Sequence, residues 1–386
     1  MKHNWEYKQL GDIAPSTPFK GIISSANGKY WCLNLDKIES NTGVVLEYDF
    51  VDGTELGGSV HKFTTDNVLF SKLRPNLNKV VVPEQNGYCT TELVPLHPLN
   101  ILNRYYLAYY LRSPKYVNYI VGKTGGAKMP RVKMDIFWNS KIPVPPMAVQ
   151  KQIVAELDKI NEVIEDCREL LRNLDALAKS LFYDFFGDPV TNPKGFLQKS
   201  IGEFASVKIG PFGSLVHKED YVCGGTPLVN PIHMQNGRVK IDNDFTIDDT
   251  KKKVLLNYLL KSGDIVFGRR GDIGRCALIT DNEDGYLCGT GSLFVRFNIK
   301  INPIFALWCC RQRSVKAYLT EKAKGATMLN INCGIIESAP IILPPLTLQE
   351  QFSARIEQIE VQKKTIEETI ANLQTLLDSR MDYWFN

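Results

Sequence analysis

In this 386-residue sequence, the residues best suited to chemistry are basic ones that surround two tight turns. Arginine in a glycine-rich turn can approach a phosphate closely or donate two hydrogen bonds to a guanine edge. The six residues are Lys72, Arg74 and Lys79 around the first turn and Arg269, Arg270 and Arg275 around the second. Their spacing favours contact with DNA. The alternative is a structural role, because residues that are repeated in both halves can also hold each domain on its helix.

A second group of basic residues lies in loops, where simple solvation is the rival explanation. Its members are Lys123, Lys128, Arg131 and Lys133, followed by Lys208, His217 and Lys218 in the glycine loop KIGPFGSLVHK. All but Lys123 and Lys133 are predicted to contact DNA. Base-specific contacts should come from the segments in which the two halves of the chain differ.

Stretches that resemble nucleotide-binding motifs fail on their spacing. GKTGGAK at 122–128 has Val117 where a phosphate-binding loop needs its first glycine, and it follows a predicted helix instead of a strand. GTG at 289–291 is not a dinucleotide fingerprint, so both stretches are predicted to be turns. We find neither an NPPF-like methyltransferase loop nor a clustered acidic set with a following lysine that would indicate a nuclease. The sequence predicts no catalytic residue on this chain.

Nine cysteines without a CxxC pair and five isolated histidines give no metal-ligand spacing. Unpatterned cysteines of this kind are typical of reduced intracellular thiols. No apolar run approaches the roughly 18 residues that span a bilayer, and the start lacks the apolar core of a signal peptide. We expect a cytoplasmic protein without a metal site or membrane contact.

The net charge of +4 is unevenly distributed. Residues 1–145 hold 17 basic against 12 acidic residues, and residues 196–343 hold 19 against 14, so each segment carries +5. The segments 146–195 and 344–386 each carry −3. Two basic bodies joined by acidic segments suggest a polyanionic partner for the bodies and a different partner for the segments.

The basic turns belong to a long internal repeat. IPVPPMAVQKQIVAELDKI begins at Ile142 and IILPPLTLQEQFSARIEQI at Ile341, and their prolines and glutamines align at one constant offset. NVLFSKLRPNLNK (67–79) matches DIVFGRRGDIGR (264–275) with one gap, and GAKMPRVKMDIF (126–137) matches GATMLNINCGII (325–336). A period this long indicates a duplicated domain-plus-helix unit. Because 15–60 and 206–260 share little similarity, the two halves should have different ligand surfaces.

Each repeat ends in an apolar pattern with steps of four and three residues, which predicts a coiled-coil seam. The seam residues are Ile153, Leu157, Ile160, Ile164, Leu171, Leu174 and Leu181 in the first helix, and Phe352, Ile356, Ile359, Lys363, Ile366, Ile370, Leu373 and Leu377 in the second. Lys363 interrupts the apolar pattern and is expected to fix the register. Gly187 is the predicted C-cap of the first helix.

The second helix can bury its seam on the first only by running back towards the first body. We therefore predict an antiparallel pair, with the C-terminus near the N-terminus. A helix of about 39 residues at ~1.5 Å rise spans roughly 58 Å. Bodies held that far apart and extending inwards could address DNA sites about one helical turn (~34 Å) apart.

The two bodies are predicted to be α+β domains. The expected bounds are 1–145 and 191–343 for the bodies and 146–190 and 344–386 for the helices. In the first body, 43–51, 67–70 and 79–83 are predicted strands, DGTELGG and EQNG are turns, and 103–121 is a helix bent near Pro114.

The duplicated pattern resembles the specificity subunit of Type I restriction-modification enzymes. The resemblance covers essentially the whole chain and rests on the twin proline-glutamine segments, on LAKSLFYDFFGDP (177–189) and on GATMLNI (325–331). It implies two target-recognition domains separated by two long antiparallel helices. Each domain would recognise one half of a bipartite, asymmetric DNA site, and the helices would set the spacer between the halves.

The resemblance also implies partners. Two modification subunits, which carry S-adenosylmethionine, would dock on the helices, and restriction subunits using ATP and Mg would join them to protect against foreign DNA. This chain itself would hold no cofactor and would bind double-stranded DNA. A coiled-coil scaffold or a self-sufficient DNA-modifying enzyme is the alternative, and methylation by the purified chain alone would favour it.

Overall fold

The chain, represented by a computed structural model, is described over residues 5–16, 28–54, 56, 60–126, 128–212, 215–241, 244–323 and 329–386. It divides into two compact units. Unit 1 comprises Met1–Leu170 and Ile366–Asn386, and unit 2 comprises Leu171–Thr365. The end of the second long helix therefore belongs to the same unit as the N-terminal residues, as the antiparallel seam predicts.

The elements of the first repeat follow in chain order. They are β1 (Glu6–Gln9), α1 (Leu10–Ile13), β2 (Lys29–Leu33), β3 (Phe50–Asp52), β4 (Val60–Phe63), β5 (Val68–Ser71), β6 (Val80–Val81), β7 (Gly87–Thr90), β8 (Leu93–Leu96), α2 (Arg104–Arg112), α3 (Pro114–Val121), β9 (Thr124–Gly125), β10 (Arg131–Val132), α4 (Met134–Trp138), β11 (Lys141–Val144) and α5 (Met147–Phe186).

The second repeat continues the numbering. Its elements are β12 (Leu197–Ser200), β13 (Ala205–Ile209), β14 (Tyr221–Val222), β15 (Thr226–Val229), β16 (Met234–Gln235), β17 (Arg238–Val239), β18 (Thr246–Ile247), α6 (Asp249–Val254), β19 (Ile265–Gly268), β20 (Cys276–Leu278), β21 (Leu287–Cys288), β22 (Ser292–Phe297), α7 (Pro303–Cys310), α8 (Arg313–Lys322), α9 (Cys333–Glu337), β23 (Pro340–Leu343) and α10 (Leu346–Phe385).

The two units use the same sheet pattern. In unit 1, β5 lies between β6 and β8, β2 pairs in parallel with β7, and β1 pairs with β11. In unit 2, β19 lies between β20 and β22, β15 pairs in parallel with β21, and β12 pairs with β23. Each strand of one set thus has its counterpart in the other, which confirms the duplicated α+β fold.

A pair of helices lies beside each sheet, and the bend at Pro114 is confirmed. Pro114 opens α3 after Ser113 ends α2, because proline suits the first helical position but not a helix interior. The side chain of Asn103 caps α2 by accepting hydrogen bonds from two backbone N–H groups. Asn302 caps α7 in the same way.

The long helices α5 and α10 are each 40 residues long and run antiparallel inside each unit. In unit 2, Lys363 contacts Asp175, and Phe352 packs on Phe182 seven residues further along α5. In unit 1, the Arg380 guanidinium donates a hydrogen bond to the Glu156 carboxylate. This hydrogen bond, together with the positive charge of Arg380, holds the pKa of Glu156 below the usual range of a glutamate.

The predicted seam positions are all buried or half-buried, and Gly187 ends α5 with a left-handed φ of 71°. Lys363 keeps its charge within the seam. Burial lowers its pKa, but hydrogen bonds and charge from Asp175 and Glu360 outweigh this effect and raise it. A polar residue with fixed partners at one level of a seam disfavours a shifted register. That Lys363 fixes the register stays a prediction.

Side chains from α10 complete the core of unit 1. Leu377, Met381 and Phe385 pack in one buried cluster with residues of α2 and α5. The Lys115 ammonium also donates a hydrogen bond of 2.7 Å to the Phe385 carbonyl. The rings of Trp5 and Trp384 stack with their centroids 6.4 Å apart.

One strand prediction is wrong in most of its length. Of residues 43–51 only the end is strand, in β3, while Val45 forms an isolated bridge with Ile38. The segment instead returns through a turn in which Gly43 adopts φ 71°, a conformation that an extended strand excludes. The strands predicted at 67–70 and 79–83 are β5 and β6. Residues 55 and 57–58 of DGTELGG lie outside the described residues.

Candidate nucleic-acid interface

The first basic turn follows β5 and is fixed by backbone hydrogen bonds. The Ser71 N–H donates to the Lys79 carbonyl at 3.1 Å, which closes the turn. The Lys72 N–H donates to the Glu92 carbonyl at 3.0 Å, and the Lys72 carbonyl accepts from the Val132 N–H at 2.9 Å. Two segments that are distant in the sequence therefore hold the Lys72 backbone at the edge of the sheet.

The second turn, after β19, repeats these bonds. The Gly268 N–H donates to the Arg275 carbonyl at 2.9 Å. The Arg269 N–H donates to the Gly291 carbonyl at 2.9 Å, and the Arg269 carbonyl accepts from the Ile331 N–H at 3.0 Å. Lys72 and Arg269 thus occupy equivalent positions, as the sequence alignment predicts.

Both turns contain two left-handed residues. In the first these are Arg74 (φ 49°) and Asn78 (φ 50°), and in the second they are Gly271 (φ 79°) and Gly274 (φ 83°). The left-handed conformation is costly for a residue with a Cβ atom, and strain of this kind clusters at functional sites. The Arg74 N–H donates to the Pro130 carbonyl at 2.8 Å, which helps to hold the strained backbone. The Arg74 side chain is exposed.

Lys79 and Arg275 have a structural task in common. The Lys79 ammonium donates a hydrogen bond of 2.6 Å to the Leu35 carbonyl, and the Arg275 guanidinium donates one of 3.3 Å to the Pro231 carbonyl. Both acceptors open a single-turn 3₁₀ helix just after a strand of the neighbouring sheet. These contacts support the structural alternative for this pair, and their contact with DNA stays a prediction.

The two turns differ in how their charges are neutralised. Arg131 forms an ion pair with Glu92 at 3.1 Å, with both its Nε and NH2 groups donating to that carboxylate. Asn330 and Gly291 stand at the equivalent positions of unit 2, so the pair has no counterpart there. Arg270, which bridges to Asn330 through its backbone, has an exposed side chain.

Two polar atoms beside the second turn lack a hydrogen-bond partner among the described residues. They are the Arg269 Nε and the Asn330 Oδ1, and both are buried at the atomic level. Such atoms in a folded protein usually meet an ordered water molecule or a ligand. The edge of unit 2 therefore has unused donor and acceptor capacity next to Arg270.

The remaining predicted residues are placed separately. Lys208 is exposed on β13, and the neighbouring Gly210 N–H donates to the Ser292 carbonyl, which places the end of β13 beside the second turn. His217 caps a 3₁₀ turn at Lys218–Asp220 by donating its N–H to the Asp220 carboxylate. Lys128 is exposed between β9 and β10.

The sequence did not reveal how each domain is fixed to its helix, although the glutamines aligned. Gln150 is fully buried, and its Oε1 accepts a hydrogen bond of 2.7 Å from the Asn103 N–H. Gln349 accepts from the Asn302 N–H at 2.9 Å in the same way. A buried amide with only backbone partners has no sequence signature beyond its repetition.

The described residues contain no group of three or more His, Cys, Asp or Glu side chains placed to hold a metal ion. Likewise, no helix within the described ranges is both long enough and apolar enough to cross a membrane. Cysteines deep in the core are poor nucleophiles, because burial raises the pKa of the Cys276 thiol to about 12.

Fold and site together define a class of protein: a duplicated α+β chain on long antiparallel helices, with a basic turn at one sheet edge of each repeat. The family model for the Type I restriction modification DNA specificity domain matches residues 2–172 and again 193–374. These two matches cover most of the chain and follow its repeat. The chain belongs to this family.

Individual relatives have low sequence identity to this chain, but the similarity extends over most of its length. The MjaVIII specificity subunit of a Type I restriction enzyme from Methanocaldococcus jannaschii is 24% identical over 93% of this chain and 87% of its own length. The EcoKI specificity subunit of Escherichia coli K12 is 22% identical over 72% of this chain and 63% of its own length.

Two solved structures share the fold. One belongs to a study of the structural basis of complex assembly and conformational transition in the type I R-M system. It has a TM-score of 0.64 at 18% identity, and the match covers 99% of this chain and 97% of that chain. The other is the S subunit of a Type I restriction-modification system from M. genitalium, with a TM-score of 0.54 at 13% identity, covering 100% and 97%.

Proposed function

We propose that this chain is the DNA-recognition subunit of a Type I restriction-modification complex. Each unit recognises one half of a bipartite, asymmetric site in double-stranded DNA. The observation that carries this proposal is the duplicated turn: the same backbone bonds hold Lys72 in unit 1 and Arg269 in unit 2, and each turn exposes a further arginine, Arg74 in the first and Arg270 in the second. Family membership with two matched domains supports it.

The different segments around the turns supply the specificity. The 3₁₀ helix that accepts from Lys79 begins at Leu35, inside 15–60, and the one that accepts from Arg275 begins at Pro231, inside 206–260. The shared turn therefore contacts the segments that differ between the halves. Basic side chains in the turn position the backbone of DNA, and the differing segments read base edges.

The long helices set the spacer and dock two modification subunits. Their continuous seam supports a fixed length, and their net charge of −3 each supports a partner other than DNA. The chemistry belongs to those partners: the modification subunits bring S-adenosylmethionine, and restriction subunits bring ATP and Mg. This chain contributes recognition and no catalytic residue.

Co-expression with the modification partner tests the proposal. We expect the purified chain alone to leave DNA unmethylated, and the complex to methylate one bipartite sequence that long-read sequencing maps. Methylation by the chain alone, or sequence-independent methylation by the complex, would refute it. A scaffold that does not recognise sequence gives the second of these outcomes.

Two variants test the parts separately. One heptad inserted into both α5 and α10 should lengthen the spacer and leave both half-sites unchanged. Exchange of 15–60 for the corresponding segment of another family member should change one half-site only. An unchanged spacer in the first case, or two changed half-sites in the second, would contradict the assignment of roles.

A further inference from the structure

Each unit has a groove where its short helix pair meets the long helices, and the two grooves are equivalent by the repeat. Their lining residues correspond at an offset of 199 positions. The equivalent pairs are Tyr109 and Trp308, Arg112 and Arg311, Pro114 and Arg313, Val117 and Lys316, Asn161 and Glu360, Ile164 and Lys363, Gln374 and Asp175, and Asp378 and Lys179.

The equivalent grooves differ in charge. Their eight shared positions hold one basic and one acidic residue in unit 1, but five basic and two acidic residues in unit 2. In unit 1, Glu39 and Glu165 also line the groove, against one further cation, Arg168. Because the same fold builds both grooves, the difference comes from residue choice and not from architecture.

Much of the charge in the unit 2 groove is not neutralised. Lys363 pairs with Asp175 at 2.7 Å, and Lys316 pairs with Asp272 at 2.6 Å. Three exposed cations form no ion pair among the described residues of unit 2. They are Lys179, Arg311 and Arg313.

The repeated arginine shows the contrast most directly. In unit 1, Arg112 is turned inwards, and its guanidinium donates hydrogen bonds of 2.6 and 3.0 Å to the Val80 carbonyl. Burial lowers the pKa of Arg112 to about 10. In unit 2, Arg311 is exposed, with its guanidinium carbon 5.5 Å from the centre of the Trp308 ring. Stacking on an aromatic face holds an arginine in place while its donors stay available.

The unit 2 groove is continuous with the second basic turn. An adjoining cavity shares Asn236, Arg311 and Lys316 with the groove and is lined at its other end by Gly274 and Arg275. A ligand that lies against the turn can therefore extend along the groove towards the long helices.

We propose that the unit 2 groove binds the phosphate backbone of DNA next to the half-site of unit 2, and that unit 1 has no equivalent phosphate site. This inference rests on the proposed function. Continuity with the turn favours DNA over an acidic protein segment as the occupant. Contacts of this kind add affinity without sequence information.

Salt dependence measures the contacts. Each phosphate neutralised by a lysine or arginine contributes about 0.9 to the slope of log affinity against log salt. In the complex with its modification partner, Arg311→Gln/Arg313→Gln should lower that slope by about 2. The probe is a duplex containing the mapped site, and a duplex with the site shuffled reports sequence preference. That preference should not change.

Controls separate position from net charge. Lys261→Gln/Lys300→Gln removes the same charge from exposed positions of unit 2 that lie outside the groove, the basic turn and the segment 206–260, and it should leave the slope near the wild-type value. Arg311→Lys/Arg313→Lys should restore it. An equal decrease in both glutamine variants, or an unchanged slope together with weaker binding of the modification partner, would overturn the inference. If the wild-type complex prefers no sequence, the proposed function itself fails.

Discussion

Replacing Gln150 by leucine tests how firmly the first recognition domain is fixed to its helix. The buried amide accepts from the Asn103 N–H and donates to the carbonyls of Ile101 (2.9 Å) and Pro145 (2.8 Å). Leucine has a similar volume but no polar atoms, so the change removes the hydrogen-bond partner of three backbone groups, of which the Pro145 carbonyl is buried. An unsatisfied buried donor costs about 1–3 kcal/mol, and each lost carbonyl bond about 1 kcal/mol more. We expect a total loss of about 3–5 kcal/mol, a large fraction of the ~5–15 kcal/mol stability of a typical domain.

The repeat supplies matched comparisons. Gln349 makes the equivalent bond to Asn302 and donates to one carbonyl, that of Pro344. Gln349→Leu should therefore cost less, about 2–4 kcal/mol. Gln152 and Gln351 are exposed on the same helices, so their leucine variants should change stability by no more than about 0.5 kcal/mol.

Urea denaturation gives the free energy of unfolding, and hydrogen exchange followed by mass spectrometry locates the loss. Gln150→Leu should reduce amide protection in α2 and leave α7 protected, because the two helices belong to different units. If Gln150→Leu unfolds at the same urea concentration as Gln152→Leu, the buried amide does not fix the domain and the reasoning is wrong.

Three further outcomes follow from contacts in unit 1. Arg380 holds the pKa of Glu156 below its usual range. This ion pair therefore stabilises the fold fully at pH values above the ordinary glutamate pKa of ~4.3, and the stabilisation is lost as the pH falls through the depressed pKa. Wild-type melting temperature should therefore fall more steeply than that of Glu156→Gln on acidification, and parallel curves would contradict this. Lys79→Met should lower the melting temperature by removing the bond to Leu35, a charged hydrogen bond typically worth about 1.5–3 kcal/mol; unchanged melting with weaker DNA binding in a titration would favour direct DNA contact instead. Deleting residues 366–386 should open the core of unit 1 to limited proteolysis before that of unit 2, and equal cleavage of both units would be the contrary result.

Sequence reasoning reached the duplicated fold because repetition and heptad spacing depend on side-chain type alone. The periodic apolar positions from Ile153 to Leu377 predict the seam. The missing N–H of Pro114 predicts the break between the two short helices. The segment 43–51 was misassigned because apolar and aromatic composition resembles a strand, whereas the close approach of Gly43 to the Val80 carbonyl decides its path.

The candidate site was predictable only in part. Alignment placed Lys72 opposite Arg269, and the backbone bonds place them alike. The side-chain destinations of Lys79 and Arg275 were not predictable, because each acceptor is a carbonyl in a segment that the repeat does not share. The opposite charge of the two grooves was present in the residue types but became visible only once α5, α10 and the short helices were brought together.

The composition of unit 1 has a consequence for the order in which the chain folds during synthesis. Its core requires Leu377, Met381 and Phe385, yet all of unit 2 lies between these residues and Leu170. Domains generally fold as units as they leave the ribosome. Unit 2 can therefore finish folding first, while the core of unit 1 stays incomplete until the end of α10 has been synthesised. Biogenesis should run opposite to the order of the sequence, and the first unit should depend on chaperones for longer.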